Sequence, residues 1–240
     1  MKKSKLSLKF FTPAEWALTV ISFTLIITSF FIAPLVKADR NVFSMIASLI
    51  GVMGIIFMSR GSHVAHYIYV VFSILYVVVS CYSRYFGEAI IYGCLMLPIH
   101  VWSIISWKKN LTKDNSVLIE TNKPYETAVI VGGSILFTVP FFFILKALNT
   151  DNLLFSTLSF GTSLTAAVLM LRRNKYFSFV FLIDDVLSIF LWGSKLLFGV
   201  YSFIPTLITV LAAAINDGYS FYKWCKRSKL QTKEKTQDEQ

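Results

Sequence analysis

Residues 177–192 read FSFVFLIDDVLSIFLW, an apolar run that is interrupted near its middle by the adjacent Asp184 and Asp185. The apolar stretch extends over residues 176–194, which is close to the length of about 20 residues that an α-helix needs to cross a bilayer. Charged side chains inside such a helix are costly and by default indicate a functional site. This stretch therefore predicts a transmembrane helix that carries a site.

Seven further apolar segments lie between charged boundaries, at residues 14–36, 42–58, 64–82, 87–107, 127–147, 153–171 and 199–222. The 240 residues are 55% hydrophobic and only 15% charged, whereas a soluble domain has about 25% charged residues. This composition excludes an ordinary soluble domain and a disordered chain. We predict an all-α membrane protein with eight transmembrane helices.

The first apolar segment carries signals at both of its ends. It begins with Thr12-Pro13-Ala14-Glu15, which has the pattern of a capping box with proline at the first helical position. At the other end, Val36-Lys37-Ala38 resembles a signal-peptide cleavage site, so removal of this segment is the alternative interpretation. The other seven segments keep their orientation in either case.

The basic residues are distributed unequally between the two sets of loops. If the N-terminus is cytoplasmic, the outer loops carry only five of the 23 lysines and arginines, namely Lys37, Arg40, Arg84, Lys146 and Lys195. Cytoplasmic loops carry an excess of basic residues. We therefore predict a multi-pass protein of the plasma membrane with both termini in the cytoplasm. Trp107 and Trp224 lie at the basic boundary and are predicted to be interfacial belt residues.

Sequence motifs of enzymes and metal sites are missing from the chain. Cys81, Cys94 and Cys225 have neither the spacing of a zinc site nor the even count of a disulfide framework. The sequence has no glycine-rich phosphate loop, no HExxH and no GxSxG. We predict that the protein is not an enzyme and has no cofactor, metal or nucleic acid partner, and we read the net charge of +10 as an orientation signal. Association into a homo-oligomer is left open.

A weak internal repeat relates the two halves of the chain. Residues 43–60 and 155–172 both begin with Phe-Ser and end with Met-x-Arg, at an offset of 112, and Trp107 and Trp224 close the fourth and eighth segments. Copies in parallel orientation are typical of several transporter folds. The predicted layout is an N-terminal helix and flank (1–41), a first three-helix bundle (42–107), a loop with a linker helix (108–152), a second three-helix bundle (153–225) and a polar cytoplasmic tail (226–240).

Six side chains in three segments are candidate substrate-binding residues, namely His100, Asp185, Ser188, Trp192, Asn216 and Tyr219. Asp185, Ser188 and Trp192 recur at i, i+3 and i+7, so they share one helical face. Asn216 and Tyr219 share a face of the last segment, and an amide with a phenol suits a planar ligand that carries hydroxyls. The alternative for each residue is a hydrogen bond between helices.

Three short motifs give the sequence a resemblance to a known family. Residues 216–224, NDGYSFYKW, are similar to an Asn-x-x-Tyr-Gly-aromatic-x-x-Trp ending, with Ser220 in place of the glycine. The second motif runs from Asp185 to Trp192, and the third is Trp107 with the two lysines after it. With these motifs and its span layout, the chain resembles the PnuC family of vitamin and nucleoside transporters, relatives in fold of the SWEET sugar transporters.

The resemblance implies facilitated diffusion of nicotinamide riboside, which phosphorylation then retains in the cell. Relatives in that family carry thiamine, riboflavin or deoxynucleosides, and these remain alternatives. Carried over by motif, Trp192 is expected to flank the pyridine ring, and Asn216 and Tyr219 are expected to contact the substrate. A membrane scaffold without transport activity is the alternative from another functional class, and the polar groups buried in three separate segments favour the transporter.

Overall fold

The computed structural model describes residues 11–36, 40–112, 115–120 and 123–238. Eight helices follow one another, which confirms the all-α prediction, and two isolated β-bridges are the only extended pairings within these residues. The helices are α1 (Pro13–Ile32), α2 (Val42–Ser59), α3 (Val64–Tyr82), α4 (Phe86–Lys109), α5 (Pro124–Ala147), α6 (Leu153–Leu171), α7 (Phe177–Leu197) and α8 (Ile204–Asp238). Helices α1 to α7 are long and apolar enough to cross a membrane.

Helix α8 is the longest of the eight, with 35 residues. It begins at Ile204, five residues after the start of the predicted apolar segment (199–222), and continues without a break to Asp238 in the predicted polar tail. Lysine, glutamate and glutamine are good helix formers, which explains why the polar tail extends the helix. The mixed composition of α8 also explains why it is not among the seven helices that qualify as spans by hydropathy.

Helix α4 contains a π-helical turn at Ile91–Met96 between two α-helical parts. Pro98 follows this turn, and a proline has no N–H with which to continue the regular α-helical hydrogen bonds. Tyr92, Met96 and His100, within and just after this turn, all face the middle of the molecule.

Six of the helices form a closed ring around the middle of the molecule. The order of packing around the ring is α2, α3, α4, α6, α7, α8 and back to α2. Helix α1 lies outside the ring against α2 and α8, and α5 lies outside it against α6. Because α1 packs on two ring helices, it is an integral part of the described fold. Residues 37–39, which include part of the cleavage-like site, lie outside the described residues.

The first turns of α1 and α5 make equivalent contacts. The backbone N–H of Thr12 donates to the Glu15 carboxylate at 2.8 Å, which confirms the predicted capping box, and Lys123 N–H donates to Glu126 at 3.3 Å. Glu15 forms an ion pair with Arg60 at the end of α2. Glu126 forms an ion pair with Arg172 at the end of α6, at 3.2 Å.

The turns that follow α2 and α6 also have the same backbone conformation. Gly61 and Arg173, which are 112 residues apart, both have positive φ angles, +66° and +56°. The next N–H in each turn, of Ser62 and of Asn174, donates to a carbonyl five residues earlier, at 3.2 and 2.9 Å. Glycine is favoured at position 61 because it adopts a positive φ without steric cost and because a Cβ there would lie 2.5 Å from the Arg227 guanidinium, which would have to move.

Candidate ligand-binding site

A cavity of about 70 Å³ lies at the centre of the six-helix ring. Its apolar wall includes the rings of Tyr69, Phe72, Tyr76, Tyr92 and Phe181, and its acidic groups are Asp184, Asp185 and Asp217. The described residues that line it include no lysine or arginine. Aromatic walls with a few polar groups are typical of small-molecule sites.

Both carboxylate oxygens of Asp184 accept hydrogen bonds from one neighbouring helix. Its Oδ1 accepts from Ser159 Oγ at 2.8 Å and from Thr162 Oγ1 at 2.7 Å, and its Oδ2 accepts from Ser163 Oγ at 2.6 Å. All three donors belong to α6, so the Asp184 carboxylate joins α7 to α6. Its oxygens have few positions left for a ligand.

Asp185, the next residue, is in the opposite situation. Its Oδ2 is buried and has no hydrogen-bond partner. A buried carboxylate oxygen without a partner costs free energy, which a ligand with a positive charge or a hydrogen-bond donor can recover. Ser188 lies one turn further along α7 and also lines the cavity. Oδ2 of Asp185 is therefore free to bind a ligand.

His100 lies in the cavity wall and belongs to a small group of stacked rings. Its imidazole is parallel to the Tyr69 ring, with an interplanar angle of 12° and centroids 4.8 Å apart. Its Nδ1 is 3.1 Å from Nδ1 of His66, so one of the two imidazoles donates to the other. The tautomer of His100 is thereby coupled to that of His66, which lies behind it.

One aromatic layer closes the cavity on one side. This is the side away from the helix ends that carry Arg60 and Arg172 and from Lys223 of α8. We call it the outer layer, and it consists of Tyr76, Tyr85, Trp192 and Phe203. The indole N–H of Trp192 donates to the Tyr76 hydroxyl at 2.8 Å, and the Tyr85 hydroxyl donates to the Leu191 carbonyl at 2.6 Å. Both bonds join α7 to residues of the α3–α4 half of the ring.

A second layer closes the opposite side, and we call it the inner layer. It consists of His66, Trp107, Phe177 and Trp224, whose rings make edge and tilted contacts at 4.3 to 5.6 Å. The indole N–H of Trp107 donates to the Met170 carbonyl at 3.1 Å, which joins α4 to α6. Trp107 and Trp224 are fully buried. The prediction of interfacial belt residues is therefore wrong, because both indoles pack against the protein.

The six predicted site residues occupy different environments. Asp185, Ser188 and His100 line the cavity. Trp192 lies in the outer layer, and the Asn216 amide donates to the Ile55 carbonyl at 3.0 Å, between α8 and α2. Tyr219 is 37% exposed near Lys223, whose ammonium lies 5.1 Å from its ring centroid.

Several lining residues were missed by reasoning from motifs. Thr206, Thr209, Val210, Ala213 and Asp217 of α8 recur at helical spacing and form one face that lines the cavity. This spacing could have indicated Asp217, which follows Val210 by seven residues and Ala213 by four, whereas neither Asn216 nor Tyr219 lines the cavity. The tyrosines of α3 and α4 carry no comparable signal, since aromatic residues are frequent throughout the chain.

The family model described as nicotinamide mononucleotide transporter matches residues 41–226. Two curated relatives are each named nicotinamide riboside transporter PnuC. The protein from Neisseria mucosa is 21% identical over 187 residues, covering 75% of this chain and 71% of its own. The protein from Haemophilus influenzae is 24% identical over 199 residues, covering 80% and 82%. A crystal structure of the vitamin B3 transporter PnuC shares the fold, with a TM-score of 0.79, 18% identity and coverage of 91% and 93%.

Proposed function

The chain belongs to the nicotinamide mononucleotide transporter family, and we propose that it carries nicotinamide riboside across the plasma membrane by facilitated diffusion. The observation that carries this proposal is the enclosed central cavity, where aromatic rings surround the unpartnered Oδ2 of Asp185. The names of the two curated relatives agree with this substrate. A scaffold protein has no need for such a cavity.

The chemistry of the cavity favours the riboside over the mononucleotide. The riboside combines a planar pyridinium cation with a neutral sugar, and both cations and flat rings bind well against aromatic faces. A phosphate group needs arginine, lysine or a cluster of backbone N–H donors. The described lining offers three carboxyl groups and no lysine or arginine, so the charge of a phosphate opposes entry.

The contacts between helices support an eight-span arrangement of two parallel repeats. Helix α8 is a member of the ring and packs along α2 and α7, as a spanning helix does. Its polar end lowers the mean hydropathy of the helix. The offset of 112 relates the turns after α2 and α6, and the ion pairs of Glu15 and Glu126 occupy equivalent positions in the two halves. The 1+3+1+3 layout, with both termini in the cytoplasm, follows from this arrangement and from the basic loops.

Transport then proceeds by opening one aromatic layer at a time. Ligand pockets usually measure about 300–1,000 Å³, whereas this cavity measures about 70 Å³, so the ring of helices has to widen to admit a nucleoside. Each layer contains a hydrogen bond between the two bundles, Trp192 to Tyr76 in the outer layer and Trp107 to Met170 in the inner layer. Rocking of one bundle against the other breaks these bonds alternately.

Ligand binding to the purified protein tests the substrate assignment. We expect saturable binding of nicotinamide riboside by calorimetry and an increased melting temperature, because a ligand at 100 times its Kd adds about 2.7 kcal/mol to the stability of the folded state. Nicotinamide mononucleotide, thiamine, riboflavin and deoxynucleosides form the comparison panel. If thiamine, which is also a planar cation, binds more tightly, then thiamine is the substrate and nicotinamide riboside is not. If none of these compounds binds, the proposed function is wrong.

A further inference from the structure

We propose that Asp185 makes the carrier selective for the charge on the substrate ring, so that it takes the oxidised pyridinium form of a riboside and rejects the neutral dihydropyridine form. This inference rests on the proposed function and adds the residue that determines specificity. The two forms of the riboside have the same sugar and the same carboxamide. They differ by one hydride on the ring and by one unit of charge.

The hydrogen bonds of the cavity single out Asp185 for this role. Asp184 receives three hydroxyl donors from α6, so both of its oxygens already have hydrogen-bond partners within the protein. Oδ2 of Asp185 is the one carboxylate oxygen that is buried without a partner among the residues that the structure describes. Hydrogen bonds and contacts to a charged group are strong when water is excluded. A cation next to Asp185 therefore gains more than a neutral ring of the same shape.

The rest of the lining also favours a positively charged ligand. Asp184 and Asp217 line the cavity together with Asp185, and the described lining contains no lysine or arginine. The faces of Tyr69, Phe72 and Phe181 carry the negative side of the aromatic quadrupole, which attracts a cation and gives little to a neutral, electron-rich dihydropyridine. The acidic groups and the aromatic faces around Asp185 thus favour a positive ring.

The cavity distinguishes the two forms of the riboside by their charge and not by their shape. The dihydropyridine ring is nearly as flat and nearly as large as the pyridinium ring, so aromatic walls alone cannot separate the two by size. A hydrophobic pocket discriminates weakly between ligands of similar shape, whereas a buried polar group that loses its partner discriminates strongly. Asp185 supplies such a group, because a neutral ring leaves its Oδ2 unpaired.

The test compares the binding of nicotinamide riboside with that of dihydronicotinamide riboside, using the purified full-length protein. We expect the wild type to bind the cationic form at least about tenfold more tightly, the scale of one charged hydrogen bond. Asp185→Asn keeps the shape of the side chain and removes its charge, so it should reduce the ratio of the two dissociation constants by at least about fivefold. Asp185→Glu keeps the charge and should keep the preference.

Glu120→Gln is the matched control. It removes a carboxylate from an exposed ion pair with Arg173, away from the cavity, and should retain the wild-type preference. Equal binding of the two forms by the wild type overturns this inference alone, as does an undiminished preference in Asp185→Asn. If Asp185→Asn does not fold, Asp185→Ser, which also removes the charge, takes its place with the same expected result. A protein that binds neither form overturns the proposed function and this inference together.

Discussion

At the scale of single residues, two adjacent aspartates have different roles because of what surrounds them. Asp184 accepts three hydrogen bonds from α6, whereas the Oδ2 of Asp185 has no partner. The sequence predicts a costly acidic pair in a transmembrane helix. It cannot predict which of the two is satisfied, because the hydroxyl donors of Ser159, Thr162 and Ser163 come from another helix whose rotation is fixed only by packing.

Trp192 provides a second comparison at this scale. Its position seven residues after Asp185 correctly indicates a residue on the same side of α7. The structure places its indole in the outer layer, where it donates to the Tyr76 hydroxyl at 2.8 Å. A helical stripe does not distinguish a residue that touches a ligand from one that closes the space beyond it. Whether Trp192 also contacts a bound substrate stays a prediction.

Removing the hydroxyl of Tyr76 should open the outer layer. Tyr76→Phe deletes the acceptor of the Trp192 N–H, and a hydrogen bond of this kind contributes about 0.5–1.5 kcal/mol, so the outward-open population should rise roughly two- to tenfold. The measurement is labelling of Ser188→Cys, in the cavity, by a membrane-impermeant thiol reagent applied from outside. The background should lack Cys81, Cys94 and Cys225.

Tyr82→Phe is the matched control for this experiment, because Tyr82 lies at the same end of α3 with its side chain largely exposed. It should label like the parent protein. Unchanged labelling in Tyr76→Phe, with the protein folded, would show that the outer layer is not a barrier to the cavity.

At the scale of helices, the sequence predicts where the elements lie better than what they face. The apolar segments 64–82 and 153–171 coincide with α3 and α6, because charged or polar residues stand at both of their ends. Their position beside basic residues predicts that Trp107 and Trp224 lie at the membrane interface. In the structure, however, both indoles are buried in the protein. Lipid and protein interior are equally apolar, so hydropathy cannot separate a lipid-facing indole from one that packs in the core.

The ion pairs at the starts of α1 and α5 should differ in their contribution to stability. Glu15 is 2% exposed and pairs with both Arg60 and Lys223, so Glu15→Gln removes a buried charge from a three-membered network. Breaking a buried pair costs about 3 kcal/mol or more. For a chain of this size, we expect the melting temperature to fall by about 6–12 °C.

Glu126→Gln is the equivalent change in the second half of the chain. The side chains of Glu126 and Arg172 are 26% and 40% exposed, and exposed pairs contribute about 0–1 kcal/mol. The melting temperature of this variant should therefore fall by less than about 4 °C. Equal effects of the two substitutions would contradict the role of Glu15 in joining α1 to α2 and α8.

At the scale of the whole molecule, six helices enclose one cavity between two aromatic layers. The repeat that was weak in the sequence relates similar contacts in the two halves, such as the turns at Gly61 and Arg173. The sequence did not predict the ring or the layers, because both depend on pairings between helices more than 100 residues apart, such as α2 with α8. Only local signals, such as hydropathy and capping, can be read directly from the chain.

We propose that the molecule equilibrates a riboside across a membrane without coupling to another gradient. Transport of labelled nicotinamide riboside into sealed vesicles that contain only the purified protein tests this most directly. We predict saturable uptake that ends at equal concentrations on the two sides, with no dependence on ATP and strongly reduced uptake in Asp185→Asn. Uptake no faster than in protein-free vesicles, or accumulation above the outside concentration when a pH or sodium gradient is imposed, would contradict the account.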